Sequence, residues 1–417
     1  MRKSRFFRSP SAKQLVLASI LAMGAGTPAL AQENAPDPTD WQNVLDQAKG
    51  QTVYFNAWGG APNINNYIAW AGEQVQAKYG VSIEHVKLED TATAVSRVIT
   101  EKAAGRDEGG SVDLIWINGE NFAAMKEQGL LIDSNWAEKL PNYEYADIEG
   151  KPTLTYDFTV PVDGQESPWG MAQLTFYYDS EILAEPPTTL EELAKWTEEN
   201  PGRFTYAAPP NFIGTTFLKQ VLYGVVDDPS VLREPATEEI FAEVTAPLWT
   251  YLDELKPNLW RDGVVYASDT TQLKNLLADG EIDIAMTFNP GEASSAINAS
   301  ELPPSVRSFV MDYGSMGNSH FVTIPYNANA KAGAMVVANF LLSAEAQARK
   351  ADENVWGDPS VLAINDLPDA QKAYFDALEL GPATLKGEEF GKTLLEPHAS
   401  WATMLEEEWT KRFMRDM

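Results

Sequence analysis

Short apolar runs alternate with stretches of helical spacing along the first third of this chain. Trp41 to Lys49 has the pattern of a short amphipathic helix. Thr52–Trp58 (TVYFNAW) is a run of strand-forming residues stopped by Gly59 and Gly60. Apolar positions recur at helical spacing from Tyr67 to Tyr79, with Pro62 placed to open the helix and Gly80 to close it. Val81 to Leu88 alternates apolar and polar as a strand, and Asp90 or Thr91 caps a helix through Ala104. Val112 to Ile117 (VDLIWI) is a third strand, followed by Asn118-Gly119-Glu120-Asn121 and a helix to Gln128. Strands alternating with helices predict βαβ units and a parallel sheet.

The rest of the chain repeats the theme less regularly. Ser167 to Tyr178 (SPWGMAQLTFYY) returns to strand character. Pro186-Pro187-Thr188-Thr189 opens a helix, with Thr189 as N-cap and Glu191 and Glu192 in the first turn. A second α/β region follows, with a strand at Phe204 to Ala207, a turn at Pro209-Pro210-Asn211 and a helix from Gly214 to Tyr223. Helices are expected near Thr237 to Leu255, Thr270 to Ala278 and Ala330 to Leu342, with Ser343 or Ala344 starting the next. Ile282 to Phe288, Val306 to Met311 and His320 to Ile324 read as strands. From Pro368 onward the pattern is mostly helical and charged.

The N-terminus changes the picture. Arg2, Lys3, Arg5, Arg8 and Lys13 precede a short apolar run, Gln14 to Gly24, and Ala29-Leu30-Ala31 supplies a small-x-small cleavage site. This is the pattern of a signal peptide over residues 1–31, leaving Gln32 as the mature N-terminus and the protein in a periplasm. The apolar run is too short to span a bilayer. The chain has no cysteine, so it holds no disulfide framework, thiolate nucleophile or lipid-anchoring thiol. A formal charge of −29 becomes −34 once the five basic residues of the leader are removed. Nucleic acid and anionic membrane are thereby disfavoured as partners, because phosphate binding needs a basic surface. The balance favours a cationic or neutral ligand, and much of it serves solubility.

Five segments, in order, resemble those of a periplasmic substrate-binding protein of an ABC importer. Val53 to Trp58 runs into a loop at Gly59-Gly60. Val112-Asp113-Leu114-Ile115-Trp116-Ile117-Asn118-Gly119-Glu120 resembles the strand whose end lines the family's cleft. Trp169-Gly170-Met171-Ala172 with Thr175-Phe176-Tyr177-Tyr178-Asp179 resembles the crossing from the first lobe to the second. Pro186-Pro187-Thr188-Thr189-Leu190-Glu191-Glu192-Leu193 is similar to a recurring helix opening. Gly280-Glu281-Ile282-Asp283-Ile284-Ala285-Met286 resembles the strand that leads back. Ala57-Trp58-Gly59-Gly60, Asn118 to Asn121 and Asn289-Pro290-Gly291-Glu292 look most like the YnjB-type branch, near thiamine- and iron-type receptors.

The resemblance implies an α/β, two-lobe type II periplasmic binding fold with crossover hinge strands and a helical C-terminal part. Its expected divisions are lobe 1 over 41–176 with a return segment 316–360, lobe 2 over 177–315, and a helical segment 361–417 packed on the lobes. It also implies a monomer that captures a small solute between lobes and presents it to a membrane permease with its ATPase, without catalysis and without a cofactor. The preferred solute is a thiamine-like cationic or aromatic metabolite; oligosaccharide, polyamine and ferric ion are the alternatives.

In an open α/β sheet, ligands lie beyond the carboxyl ends of the strands. That rule selects Asn56, Trp58, Gly59, Gly60, Asn118, Glu120 and Asn121 from the first lobe, Trp169 and Tyr177 at the crossing, and Asn211, Thr215, Asn289 and Glu292 from the second. Trp58 and Trp169 each border a glycine at a strand boundary, which favours cleft lining over core filling; Trp116, inside an apolar strand, reads as core. Glu120 and Glu292 serve equally well as helix caps. Amides near Ile213-Gly214-Thr215 have the placement to hold an anionic group. Aromatics, amides and a few acids suit a planar or cationic solute.

Other chemistries find little support. Tyr177 and Tyr178 are adjacent like the tyrosine ligands of iron receptors, yet successive strand residues point to opposite faces. His85, His320 and His398 have no metal-binding spacing. There is no G-x-S-x-G elbow, Walker loop or dinucleotide fingerprint. A secreted hydrolase using acids such as Glu191 and Glu192 is the rival class, and a sensor or scaffold partner shares the same fold.

Overall fold

The computed structural model describes residues 35–132 and 135–414. The expected signal peptide lies outside the described residues. The chain begins with helix α1 (Trp41–Ala48), then β1 (Thr52–Trp58), α2 (Pro62–Tyr79), β2 (Ser82–Leu88), α3 (Ala92–Ala103), β3 (Leu114–Ile117) and α4 (Glu120–Glu127). A two-stranded hairpin, β4 (Tyr156–Asp157) and β5 (Val160–Pro161), leads into β6 (Glu166–Gln173) and β7 (Thr175–Asp179). Next come α5 (Leu190–Glu199), α6 (Phe212–Val225), α7 (Glu238–Leu255), α8 (Thr270–Ala278), β8 (Ile284–Thr287), α9 (Glu292–Asn298) and β9 (Val306–Phe309). Strand β10 (Ser315–Thr323), α10 (Lys331–Leu341), α11 (Ala344–Ala351), α12 (Asp369–Asp376), β11 (Thr393–Leu394) and α13 (Ala399–Phe413) complete it.

The predicted parallel unit is present: β2, β1 and β3 lie side by side in parallel, and β10 joins β3 antiparallel. Both faces of this sheet are covered. Phe55 and Leu114 pack with α1, α2 and α10, while Ile115, Ile117 and Phe321 pack with α3 and α4. Asp113 explains the acid that begins the third run. Fully buried, it accepts from Tyr54 N at 2.9 Å and from Ala330 N at 2.8 Å, tying β1 and the start of α10 to β3. At Thr189 both halves of a capping box form: Glu192 N donates to Thr189 Oγ1 at 3.1 Å, and Thr189 N donates to Glu192 Oε2 at 3.2 Å.

The second lobe has a three-stranded antiparallel sheet in the order β8-β7-β9 and one large core. Two expectations need correction. Phe204 to Ala207 is not a regular strand, having only isolated bridges, Phe204 to Ile284 and Ala207 to Ala267. Its carbonyls are taken by irregular backbone: Trp260 N donates to Phe204 O at 2.7 Å and Ala267 N to Tyr206 O at 3.3 Å. The segment between α12 and α13 is largely irregular, broken by Gly381, Pro382, Gly391 and Pro397. It carries β11, which pairs parallel with β10, before α13 settles on the second lobe through Trp401 and Trp409.

The chain crosses between lobes at Leu174, joining β6 to β7, and at Ser315, where β10 starts. Leu174 N donates to Met316 O at 2.7 Å, and Ser315 N donates to Lys392 O at 2.8 Å. Buried Gln220 of α6 brackets the same point, giving Nε2 to Gly314 O at 2.8 Å and accepting Met316 N on Oε1 at 2.8 Å.

Two acids lie deep in the first lobe behind the loop that follows β3. Asp157 accepts from Gly119 N at 2.8 Å through Oδ2; its Oδ1 and both oxygens of Glu166 have no hydrogen-bond partner. Burial, with Glu120 adding repulsion, pushes the Asp157 carboxyl from 3.8 up to about 7 against the Gly119 bond. Burial and then the nearby Asp157 push Glu166 well above the carboxylate range, with Lys126 opposing. Between these unfolded and folded values the native chain holds a proton that the unfolded chain releases, so this pair lowers stability as pH rises through the window. Asp157→Asn keeps the bond to Gly119 and removes the charge. It is expected to gain on the wild type, on the order of 2 kcal/mol, as denaturation is followed from about pH 5 to about pH 8. Parallel pH profiles in the two proteins would show that Asp157 titrates normally.

Candidate functional site

Strand β1 delivers Trp58 to the carboxyl edge of the first lobe, where it is 40% exposed. The loop beyond it is fixed from both sides: Gly59 N donates to Leu88 O at 2.9 Å, and Asn65 Nδ2 donates to Gly59 O at 2.9 Å. A Cβ on Gly60 would lie 2.3 Å from the Trp58 ring, so glycine there lets the indole fold across the turn. Strand β3 delivers half-buried Asn118, then Gly119 at φ 61°, then exposed Glu120 in the first turn of α4, with half-buried Asn121 beside it.

The second lobe contributes two corners at helix starts, one after irregular backbone and one after β8. Asn211 is half-buried and caps α6, accepting Ile213 N at 3.1 Å. The Ile213 amide is thus already satisfied, and a Cβ on Gly214 would lie 2.2 Å from Ala207 O, so this helix start is packed rather than open to an anion. Asn289 is exposed and turns the chain by accepting Gly291 N at 3.1 Å. Glu292 opens α9, bonded by the Thr287 hydroxyl, and burial raises its carboxyl.

Four of the residues selected from sequence point inward instead. Asn56 is fully buried and donates to Tyr54 O at 3.1 Å. Trp169 is fully buried against Phe55, Tyr67, Trp116 and Trp356, because β6 turns that face toward the helices of the first lobe. Tyr177 is enclosed between β8 and β9, its phenol pushed up by burial and by Glu292. Thr215 is buried and donates to Glu406 of α13 at 2.7 Å. Trp58, Gly59, Gly60, Asn118, Glu120, Asn121, Asn211 and Asn289 keep some exposure at strand ends, and Glu292 keeps a little.

Aromatic residues at the same corners were missed. Phe212 is 50% exposed and meets half-buried Phe288 edge-on at 5.0 Å. Phe288 follows β8 and Phe212 opens α6, so both stand just ahead of or at a helix start. Trp116 is half-buried rather than enclosed. The exposed chemistry is therefore aromatic and amide, with a carboxylate in the first turn of both α4 and α9. Those acids offset the positive helix ends that would otherwise attract anions.

Comparison with known proteins identifies the family of this chain. Residues 70–375 match the family described as bacterial extracellular solute-binding protein. Protein YnjB of Escherichia coli (strain K12) is 47% identical over 379 residues, spanning 91% of this chain and 95% of that protein. The solved spermidine/putrescine ABC transporter substrate-binding protein PotD of Streptococcus pneumoniae matches with a TM-score of 0.58 at 16% identity, over 87% of this chain and 98% of that one. A Bordetella ferric binding protein matches with a TM-score of 0.59 at 15% identity, over 88% of this chain and 100% of that one. The chain belongs to the bacterial extracellular solute-binding proteins and has the two-lobe fold of periplasmic receptors.

Proposed function

We propose that this protein is the periplasmic receptor of an ABC importer, holding one small cationic or aromatic organic solute between its lobes and delivering it to a membrane permease with its ATPase. It acts as a non-catalytic monomer after loss of residues 1–31. The observation that carries the solute class is that exposed aromatics and helix-opening acids both stand at the loop-to-helix corners. Trp58 and Phe212 offer open π-faces, while Glu120 and Glu292 occupy the first turns of α4 and α9. A phosphate or carboxylate entering those corners meets a carboxylate; a cation over an indole gains about 0.5–2 kcal/mol.

The test is a thermal-shift titration of the mature chain from Gln32 with thiamine, spermidine, a maltooligosaccharide and ferric citrate. Thiamine is expected to raise the melting temperature saturably, since a ligand at 100 times its Kd adds about 2.7 kcal/mol to the native state. A rise with the sugar alone or ferric ion alone rejects the cationic or aromatic organic class. N-terminal sequencing of the exported protein is expected to begin at Gln32, and an uncleaved N-terminus would reject export by a removable leader.

Two substitutions probe the corners. Trp58→Ala and Glu120→Ala remove exposed groups, so unliganded stability is expected to move by no more than about 0.5 kcal/mol. Each is expected to weaken calorimetric binding of the solute about tenfold. Normal binding by both variants would place the solute elsewhere.

A further inference from the structure

Trp116 on β3, His320 on β10 and Trp356 after α11 meet at one corner of the first lobe. His320 and Trp356 lie nearly parallel, 10° apart with centroids at 6.4 Å. Trp116 faces both at a steep angle, 5.4 Å from His320 at 67° and 5.8 Å from Trp356 at 58°. Trp169 closes the back, 4.9 Å from Trp116 and 5.4 Å from Trp356. Trp169 is sealed and Trp356 keeps only 8% exposure, whereas Trp116 is half-buried and the His320 side chain remains 16% exposed. The result is a cluster of rings whose accessible part is supplied by Trp116 and His320.

The accessible part is held rigidly. His320 Nε2 lies 3.2 Å from Asp358 Oδ1, and the other Asp358 oxygen is bound by buried Lys350, which also donates to Pro359 O at 2.8 Å. Lys350 and Asp358 cancel one another, leaving the corner rich in π-faces without a net buried charge. A Cβ on Gly170 would lie 2.3 Å from Asp358 and 2.9 Å from the His320 ring, so glycine at this point of β6 admits the pair. The corner also borders the other lobe. A Cβ on Gly291, next to Glu292, would lie 2.7 Å from Gly357 O, and Gly357 separates Trp356 from Asp358. Ring faces fixed in place beside the opposite lobe suit a flat group slid in between the lobes.

We propose that Trp116, His320 and Trp356 form the seat for a planar, cationic ring of the transported solute; this rests on the solute class argued under Proposed function. The chain contains three histidines, so its imidazole signals are few enough to follow one by one in an NMR titration. Thiamine and N-methylnicotinamide are the probes, and His320→Gln assigns the signal. Binding is expected to move the His320 resonance through the ring current of the stacked probe and leave His85 and His398 in place. Trp116→Leu is expected to weaken binding about tenfold, and Trp116→Phe, which keeps a ring and tests for misfolding, to restore most of it. Tight binding with an unmoved His320 signal, or undiminished binding by Trp116→Leu, overturns the seat while the solute class stands. If neither probe binds the wild-type chain, the solute class falls and the seat falls with it.

Discussion

Everything in this molecule depends on a few backbone hydrogen bonds where the chain passes between lobes. Leu174 and Met316 pair there, Ser315 takes a bond to Lys392, and Gln220 grips Gly314 and Met316 together. Three separate passages of the chain thus meet at one place. A side chain from α6 is used because the short stretch before β10 has no neighbouring strand to satisfy Gly314 O, and a buried carbonyl without a partner is costly. Gln220 has both a donor and an acceptor, and one residue type fills both needs. Hinged closure around a ligand is achieved in general by changing φ and ψ at a few such residues.

Around that pivot the two lobes reach similar chemistry with different backbones. The first uses a parallel sheet covered on both faces, and the second an antiparallel sheet with irregular neighbours. In both, a strand ends, the chain turns at an asparagine and glycine, and a helix begins with glutamate: Asn118-Gly119-Glu120 in one, Asn289-Pro290-Gly291-Glu292 in the other. Behind the first of these corners, Asp157 holds the Gly119 amide from a buried position. The corner is therefore posed from inside the lobe, and its outward groups are left free.

The architecture was legible because both signals that define it are local. The apolar run of β3 and its leading Asp113 announced a buried strand, and Thr189 with Glu192 announced a helix start that forms as a complete capping box. The inward or outward sense of individual side chains was less legible. A parallel sheet buried on both faces shows no alternation of apolar and polar residues. Asn56 and Trp169 could not be told from cleft residues by pattern, while Trp116 packs against the core as its apolar strand suggested. Thr215 was lost for another reason: its partner, Glu406, lies on the last helix, a contact no local reading contains. The grouping of His320 with Trp116, Trp356 and Asp358 was not legible because these residues come from distant parts of the sequence.

The contact between Gly291 and Gly357 has a mechanical meaning. Side chains that meet across a gap can rotate or compress, and the limit they set is soft. Here main chain meets main chain, and any added carbon on Gly291 would strike the Gly357 carbonyl. At this edge the approach of the two lobes is therefore set by backbone. Exchange of the neighbouring aromatic walls can then alter the space offered to a cargo without altering this backbone contact.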